Sequence, residues 1–236
     1  AYAAGLPLTG VNHLEAHFTA AEFEFDILYP TVAMVVSGGH TSLYYVRYPG
    51  SFELLGRTLD DAAGEAFDKV AKLLGLGYPG GPVIEKEAEK CIGEPVSYPR
   101  ITLSKDSLDF SFSGLKTAVL YHCLGTAASR RDLAAASYEP EFVADVAASF
   151  QEAVVDVLVS KTFEAAERLA VASVIVGGGV AANGRLRARL RERAEELGLR
   201  LYLAPRELCT DDAAMVAGLG SQLLEQGRTA PLDVQA

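Results

Sequence analysis

The chain has 236 residues, 50% of them hydrophobic, and a formal net charge of −10. That is material for one large domain or two small ones. No stretch approaches 18 consecutive apolar residues and no signal-peptide pattern opens the chain, which speaks against a membrane partner and for a cytoplasmic protein. The acidic balance speaks against a generic nucleic-acid coat and leaves room only for a local RNA contact. Cys91, Cys123 and Cys209 lie far apart with no C-x-x-C, which suits a reducing cytosol and argues against a disulfide scaffold or a zinc ribbon.

In chain order, residues 1–5 (AYAAG) read as the tail of a helix closed by glycine, so the chain is expected to be a piece of a longer one. His13-Leu14-Glu15-Ala16-His17 follows. Two histidines four apart share a helical face and can hold one metal ion. The zinc-protease motif H-E-x-x-H needs its base directly after the first histidine. Glu15 lies two residues on, about 200° around the helix, and points away from such a metal. Two ordinary histidines on a helix are the plainer alternative.

Residues 31–36 (TVAMVV) have the pattern of a buried strand, and Ser37-Gly38-Gly39 then offers bare backbone N–H groups to a phosphate. Residues 41–48 and 52–58 read as two further strands joined by a Pro49-Gly50 turn. A helix is expected from Asp60 through Leu74, with Phe67, Val70, Ala71 and Leu74 on one face. The PGGP stretch at 79–82 breaks it, and Pro82 suits the first turn of the next helix. Residues 97–112 read as a loop, followed by helices over 114–124 and 140–170; Phe142, Val146, Phe150, Val154, Val157 and Leu158 stripe the second.

Residues 172–176 form a short buried strand that runs into Gly177-Gly178-Gly179, with a helix from Asn183 to Leu197 beyond. The turn is not a G-x-G-x-x-G fingerprint, and tight strand–helix packing competes with ligand approach as its purpose. Arg185, Arg189 and Arg193 share a face of that helix. They attract an anion or form a solvated face paired with Glu192, Glu195 and Glu196. A strand at 199–204 and a helix from Thr210 to Glu225 close the pattern. Thr210 or Asp211 serves there as N-cap, or Asp211 supplies the carboxylate a two-histidine metal site needs. Asp68 and Glu85 flank the PGGP loop, placed either to accept ribose hydroxyls or as surface charges beside Lys69 and Lys86. Strands, a hairpin and strand–glycine–helix units indicate α/β architecture.

The segments VNHLEAH, VVSGGHTSL, LDDAAGEAFDKVAKLLGLGYPGGP, LDFSFSGLKTAV, VAASFQEAVVDVL, VGGGVAANGRLR and LCTDDAAM together closely resemble one family, the bacterial-type tRNA N6-adenosine threonylcarbamoyltransferases, TsaD/Gcp. The resemblance implies the two-lobed, actin-like (ASKHA, sugar-kinase/Hsp70-like ATPase) fold. It makes residues 1–207 the second lobe and 208–236 a C-terminal helix packing on the first lobe, most of which this chain lacks. It implies one divalent metal, iron or zinc, on His13, His17 and Asp211. Val35, Val36, Ser37, Gly38 and Gly39 would line the phosphate and carbamoyl site, with His40 beside it as the candidate catalytic group. Asp68, Gly81 and Asn183, with Glu85 as in archaeal relatives, would hold the nucleoside end of the adenylate.

The implied reaction moves a threonylcarbamoyl group from threonylcarbamoyl-AMP to N6 of the adenosine 3′ of a tRNA anticodon. A fold-related TsaB-like subunit and a TsaE-like ATPase are the implied partners. Without the first lobe the chain is expected to be inactive even with both. The sequence departs from the common pattern at Ser42, where many relatives carry Gln, and at Asp212, where Asn is common. Val35 stands where archaeal relatives place a metal-binding Tyr, which removes a tyrosine ligand. A non-catalytic assembly subunit of the same fold and a metallopeptidase are the rival readings; the first typically lacks the metal ligands, and the second lacks its base.

Overall fold

The computed structural model describes residues 4–93, 96–100, 104, 106–125 and 138–231. Its centre is β1 (Thr31–Val36), six consecutive residues that are all buried. A strand covered on both faces needs an unbroken apolar run, which TVAMVV supplies. β1 pairs antiparallel with β2 (Thr41–Tyr48) on one side and parallel with β4 (Ser173–Gly177) on the other. β3 (Ser51–Arg57) extends the sheet beyond β2 through a hairpin at Pro49-Gly50, where Gly50 takes a φ of +80°. β5 (Arg200–Leu203) extends it beyond β4, giving one five-stranded sheet in the order β3-β2-β1-β4-β5.

Alternate side chains of β1 feed two apolar clusters. Val32, Met34 and Val36 join the large one beneath the long helix α5 (Pro140–Arg168), where Phe150 meets Phe67 of α2 (Ala63–Leu73) edge-on at 5.2 Å. Ala33 and Val35 join a smaller one with Phe18 of α1 (His13–Glu22), Ile175 and Tyr202. α3 (Gly80–Ala88) packs between α2 and α5, α4 (Ser113–Leu124) lies against both, and α6 (Gly184–Leu197) follows β4. α7 (Ala213–Glu225) lies against α1, with Gln222 hydrogen-bonded to Glu22 and Met215, Leu219 and Leu223 in the large cluster. Among the described residues no helix is long and apolar enough to cross a membrane.

Two expectations change. The helix expected from Asp60 begins at Ala63, because both aspartates are spent outward. Asp60 accepts from the N–H groups of Phe112 and Ser113 at the uncapped start of α4, and Asp61 pairs with Lys69 and Lys116. The stretch 97–112, parts of which lie outside the described residues, is not a free loop at its end. Phe110 and Phe112 are fully buried, and Phe110 bridges to Thr58 beside the end of β3.

Candidate metal and nucleotide site

α1 begins at His13 because the Asn12 side chain accepts from the N–H groups of Leu14 and Glu15. That cap sets the first turn so that His13 and His17 stack edge-on, ring centroids 5.0 Å apart. Asp211 arrives from the other end of the chain. Its Oδ1 lies 3.2 Å from His13 Nε2 and 3.4 Å from His17 Nε2. Donors bound at about 2.1 Å to one tetrahedral ion sit about 3.4 Å apart, so the spacing is that of a ligand set.

The alternative reading of Asp211 as helix cap fails on geometry. Asp212 is the cap of α7, its carboxylate accepting from Ala214 N at 2.5 Å. Asp211 is thereby released toward the histidines.

The three residues fit a metal by one further observation. His17 is 1% exposed, and neither ring nitrogen makes a hydrogen bond. A buried imidazole without partners is costly unless something else satisfies it. Burial, and next the neighbouring His13, hold the His17 imidazolium pKa below its ordinary value, while Asp211 opposes them. The ring is therefore the neutral form that a cation needs. Glu15 takes no part: burial pushes its carboxyl up, and its charged neighbour is Arg228.

Beside this triad lies a cleft of about 250 Å³ lined by Gly38, Asp68, Gly81, Glu85, Gly179 and Asn183 among others. Thr210 is in its wall, so one residue step separates the cleft from Asp211. Among the described residues the N–H groups of Gly38 and Gly39 meet no acceptor, and a Cβ on either would meet nothing within 4 Å.

Other glycines serve packing. A Cβ on Gly64 would stand 2.6 Å from Ser37 O, on Gly80 2.5 Å from Asp68 Cα, and on Gly178 2.5 Å from Val36 O. Gly177 similarly admits the backbone of His17. In the second glycine turn, only Gly179 faces the cleft; tight packing accounts for the other two.

Of the remaining expected site residues, Val35 and Val36 are fully buried within the sheet, Val35 paired with Ser42 and Gly177 and Val36 with Thr41, so their side chains stand behind the loop. His40 is exposed and lines a neighbouring depression with Thr41, Ser42 and Arg57. Asp68 accepts from Gly80 N at 2.7 Å and Glu85 from Gly184 N at 2.6 Å, each with the other carboxylate oxygen left over among the described residues. Among the described residues neither carboxylate pairs with the neighbouring Lys69 or Lys86; Lys69 pairs with Asp61 and Glu65.

Asn183 caps α6 through Leu186 N and donates to Gln151 at 2.8 Å. Sequence reading missed Gln151. Its signal is a buried glutamine inside the apolar stretch of α5.

The arginines of α6 turn out to be a paired face. Arg185 grips Glu152 through two bonds of 2.7 and 2.8 Å, Arg189 reaches Asp156, and Arg193 pairs with Glu196. No anion is needed to account for them. Arg189 and Arg193 border a larger groove of about 730 Å³ whose arginines, Arg100 included, are matched by acids.

The sequence matches the profile of TsaD, "tRNA N6-adenosine threonylcarbamoyltransferase", over residues 1–218. The chain belongs to this family. Its relatives of that name include one from Syntrophus aciditrophicus, 48% identical over all of this chain and 67% of the relative, and one from Bacillus subtilis, 48% identical over 96% of this chain and 63% of the relative. The chain thus spans about two thirds of the length of these TsaD proteins.

Among solved structures, full-length HypF in a phosphate- and nucleotide-bound form superposes with a TM-score of 0.69 at 15% identity, covering 97% of this chain and 38% of HypF. HypF of T. kodakarensis gives 0.68 at 17%, covering 94% and 37%. These likenesses concern the fold alone, the α/β arrangement expected from the sequence. Transfer to tRNA is the activity the family name carries.

Proposed function

We propose that this chain carries the metal and adenylate half of a tRNA threonylcarbamoyltransferase site, with threonylcarbamoyl-AMP as donor. The adjacency of Thr210 in the cleft wall and Asp211 in the triad is the observation that supports this most directly. It sets a cation site beside a glycine-lined slot.

His13, His17 and Asp211 would hold one iron or zinc ion. Such an ion, when bound, supplies Lewis-acid stabilisation to phosphate and acyl oxygens. Gly38 and Gly39 donate their free N–H groups to the phosphate and to negative charge developing on the carbamoyl oxygen. The leftover oxygens of Asp68 and Glu85 accept from ribose hydroxyls, while Gly81 and Asn183 shape the nucleoside end.

In the transfer, a bond forms between N6 of adenosine and the carbamoyl carbon, and the bond from that carbon to the phosphate oxygen breaks. AMP leaves and N6 sheds a proton. His40, exposed on the glycine loop, is the candidate acceptor of that proton. The amine is weakly basic, so holding it against the carbamoyl carbon contributes more than base strength. A TsaB-like subunit, a TsaE-like ATPase and a cytoplasmic setting complete the proposal.

The test supplies metal-loaded protein of full family length carrying this sequence with threonylcarbamoyl-AMP, unmodified tRNA and the partners, and follows labelled threonine into tRNA; this chain alone is expected to give none. Incorporation that disappears in His13→Ala and Asp211→Ala is expected. Undiminished incorporation in both variants would exclude the triad from the reaction.

A further inference from the structure

The family-specific segment LDFSFSGLKT, residues 108–117, touches neither the triad nor the cleft, yet a chain of hydrogen bonds ties it to the glycine loop of the cleft. Phe110 and Phe112 sink into the core and fix the segment beside β3. Phe110 N donates to Arg57 O, and Leu59 N to Phe110 O, at 3.0 Å each. Asp60 then receives four bonds: the hydroxyls of Ser111 at 2.5 Å and Ser113 at 2.7 Å, and the N–H groups of Phe112 at 2.8 Å and Ser113 at 3.2 Å. Asp61 is gripped by Lys69 at 2.6 Å and Lys116 at 3.1 Å. The two aspartates are thus locked on one side to α2 and α4.

On the other side they lead to the glycine loop. The Asp61 carbonyl accepts from the Thr58 hydroxyl at 2.6 Å, and Thr58 N donates to Thr41 O at 2.8 Å. Thr41 Oγ1, fully buried, accepts from Ala63 N at 2.9 Å, the first residue of α2, which has no side-chain cap of its own. The next N–H, that of Gly64, donates to Ser37 O at 3.2 Å, and Ser37 N donates to His40 O at 2.7 Å. Gly38 and Gly39 stand between these last two anchors with free N–H groups.

We propose that Asp60 and Thr41 are positioning residues for this site, transmitting the anchorage of the LDFSFSGLKT segment to the Ser37–His40 loop so that its N–H groups are held in place before a phosphate arrives. The proposal rests on reading that loop as the phosphate cradle. Preorganised donors lose no free energy to reordering when charge appears. A loop cut from its anchors must be ordered at the ligand's expense.

The experiment compares the wild-type chain with Asp60→Ala, the double variant Ser111→Ala/Ser113→Ala, Thr41→Val and Thr41→Ser. AMP is the titrant in metal-replete buffer, with amide exchange at Ser37 and Gly64 and thermal unfolding recorded alongside. Asp60→Ala and Thr41→Val are expected to weaken AMP by about tenfold and to speed exchange at both amides, with cooperative unfolding retained. Thr41→Ser restores the acceptor and stays near wild type, which a purely structural loss would not reproduce. Should Thr41→Val fail to fold, Asp60→Ala and the serine pair decide.

AMP affinity and loop exchange unchanged in those variants would overturn the proposal and leave the nucleotide reading intact. A wild-type chain that does not bind AMP would instead overturn the nucleotide reading. Loop exchange alone then settles the mechanical link, with unchanged rates counting against it.

Discussion

Asp211 and Asp212 are sequence neighbours with separable tasks, because the start of α7 turns one carboxylate inward to the helix and the other out to the histidines. Asp211 is 76% exposed and, among the described residues, has no side-chain partner besides the two histidines. Asp211→Ala is therefore expected to leave stability within about 0.5 kcal/mol while abolishing metal uptake. Asp212→Ala should lose about 1 kcal/mol with the cap and keep its metal. Metal content per chain and thermal unfolding of the two variants check this, and the reverse pattern would reassign the ligand. His17→Ala is a poorer probe, since the ring is buried and its removal adds the cost of a cavity, about 2 kcal/mol or more for a large core side chain.

The glycines divide in the same way. Open space around Gly38 means that Gly38→Val should fold normally and lose AMP binding. Calorimetry showing wild-type affinity in that variant would mean the loop is only a turn.

Between elements, close approach of backbones sets the shape of the cleft. α2 reaches the glycine loop at Gly64 and α3 reaches α2 at Gly80, each without room for a methyl group. Gly64→Ala is expected to cost about 1–3 kcal/mol by overpacking, seen as a lowered denaturant midpoint, whereas Gly38→Ala should not.

The Asp60 junction adds a pH dependence. Burial alone would push its carboxyl up. The Ser111 and Ser113 hydroxyls and the N–H groups of Phe112 and Ser113 outweigh it and hold the carboxyl below its usual range. A depressed folded-state pKa contributes stability fully above the unfolded value, about 4, and loses it as pH falls through the lower folded value. Between pH 5 and 3 the wild-type urea midpoint should therefore fall further than that of Asp60→Ala. Parallel curves would show that the junction carries no such linkage.

For the whole molecule, the net charge of −10 works against a polyanion. Many of the described cations are also paired with acids, as Arg185, Arg189 and Arg193 on α6 and Lys69 and Lys116 at Asp61. tRNA is expected to bind this chain alone no better than the nonspecific range, about 10⁻⁴–10⁻⁶ M, and more weakly as salt rises. Filter binding at two ionic strengths measures it; nanomolar, salt-insensitive binding would point to a dedicated RNA surface on this chain.

Local pattern determined the elements. The apolar run of β1, the Pro49-Gly50 hairpin, the stripe of α5 and the glycine turn after β4 follow from side-chain period and turn chemistry over a few residues. Together with the family motifs, they specified the α/β fold and the residues to watch. What the sequence left open was every choice that depends on a partner far along the chain. Whether Asp211 caps α7 or faces the histidines depends on where α1 lies. Whether the α6 arginines are free depends on Glu152 and Asp156 of α5. Whether Asp60 starts a helix or ties one down depends on Ser111 and Ser113. Side-chain oxygens accept hydrogen bonds without regard to sequence distance, so only the packed sheet and helices decided which acceptors those groups would meet.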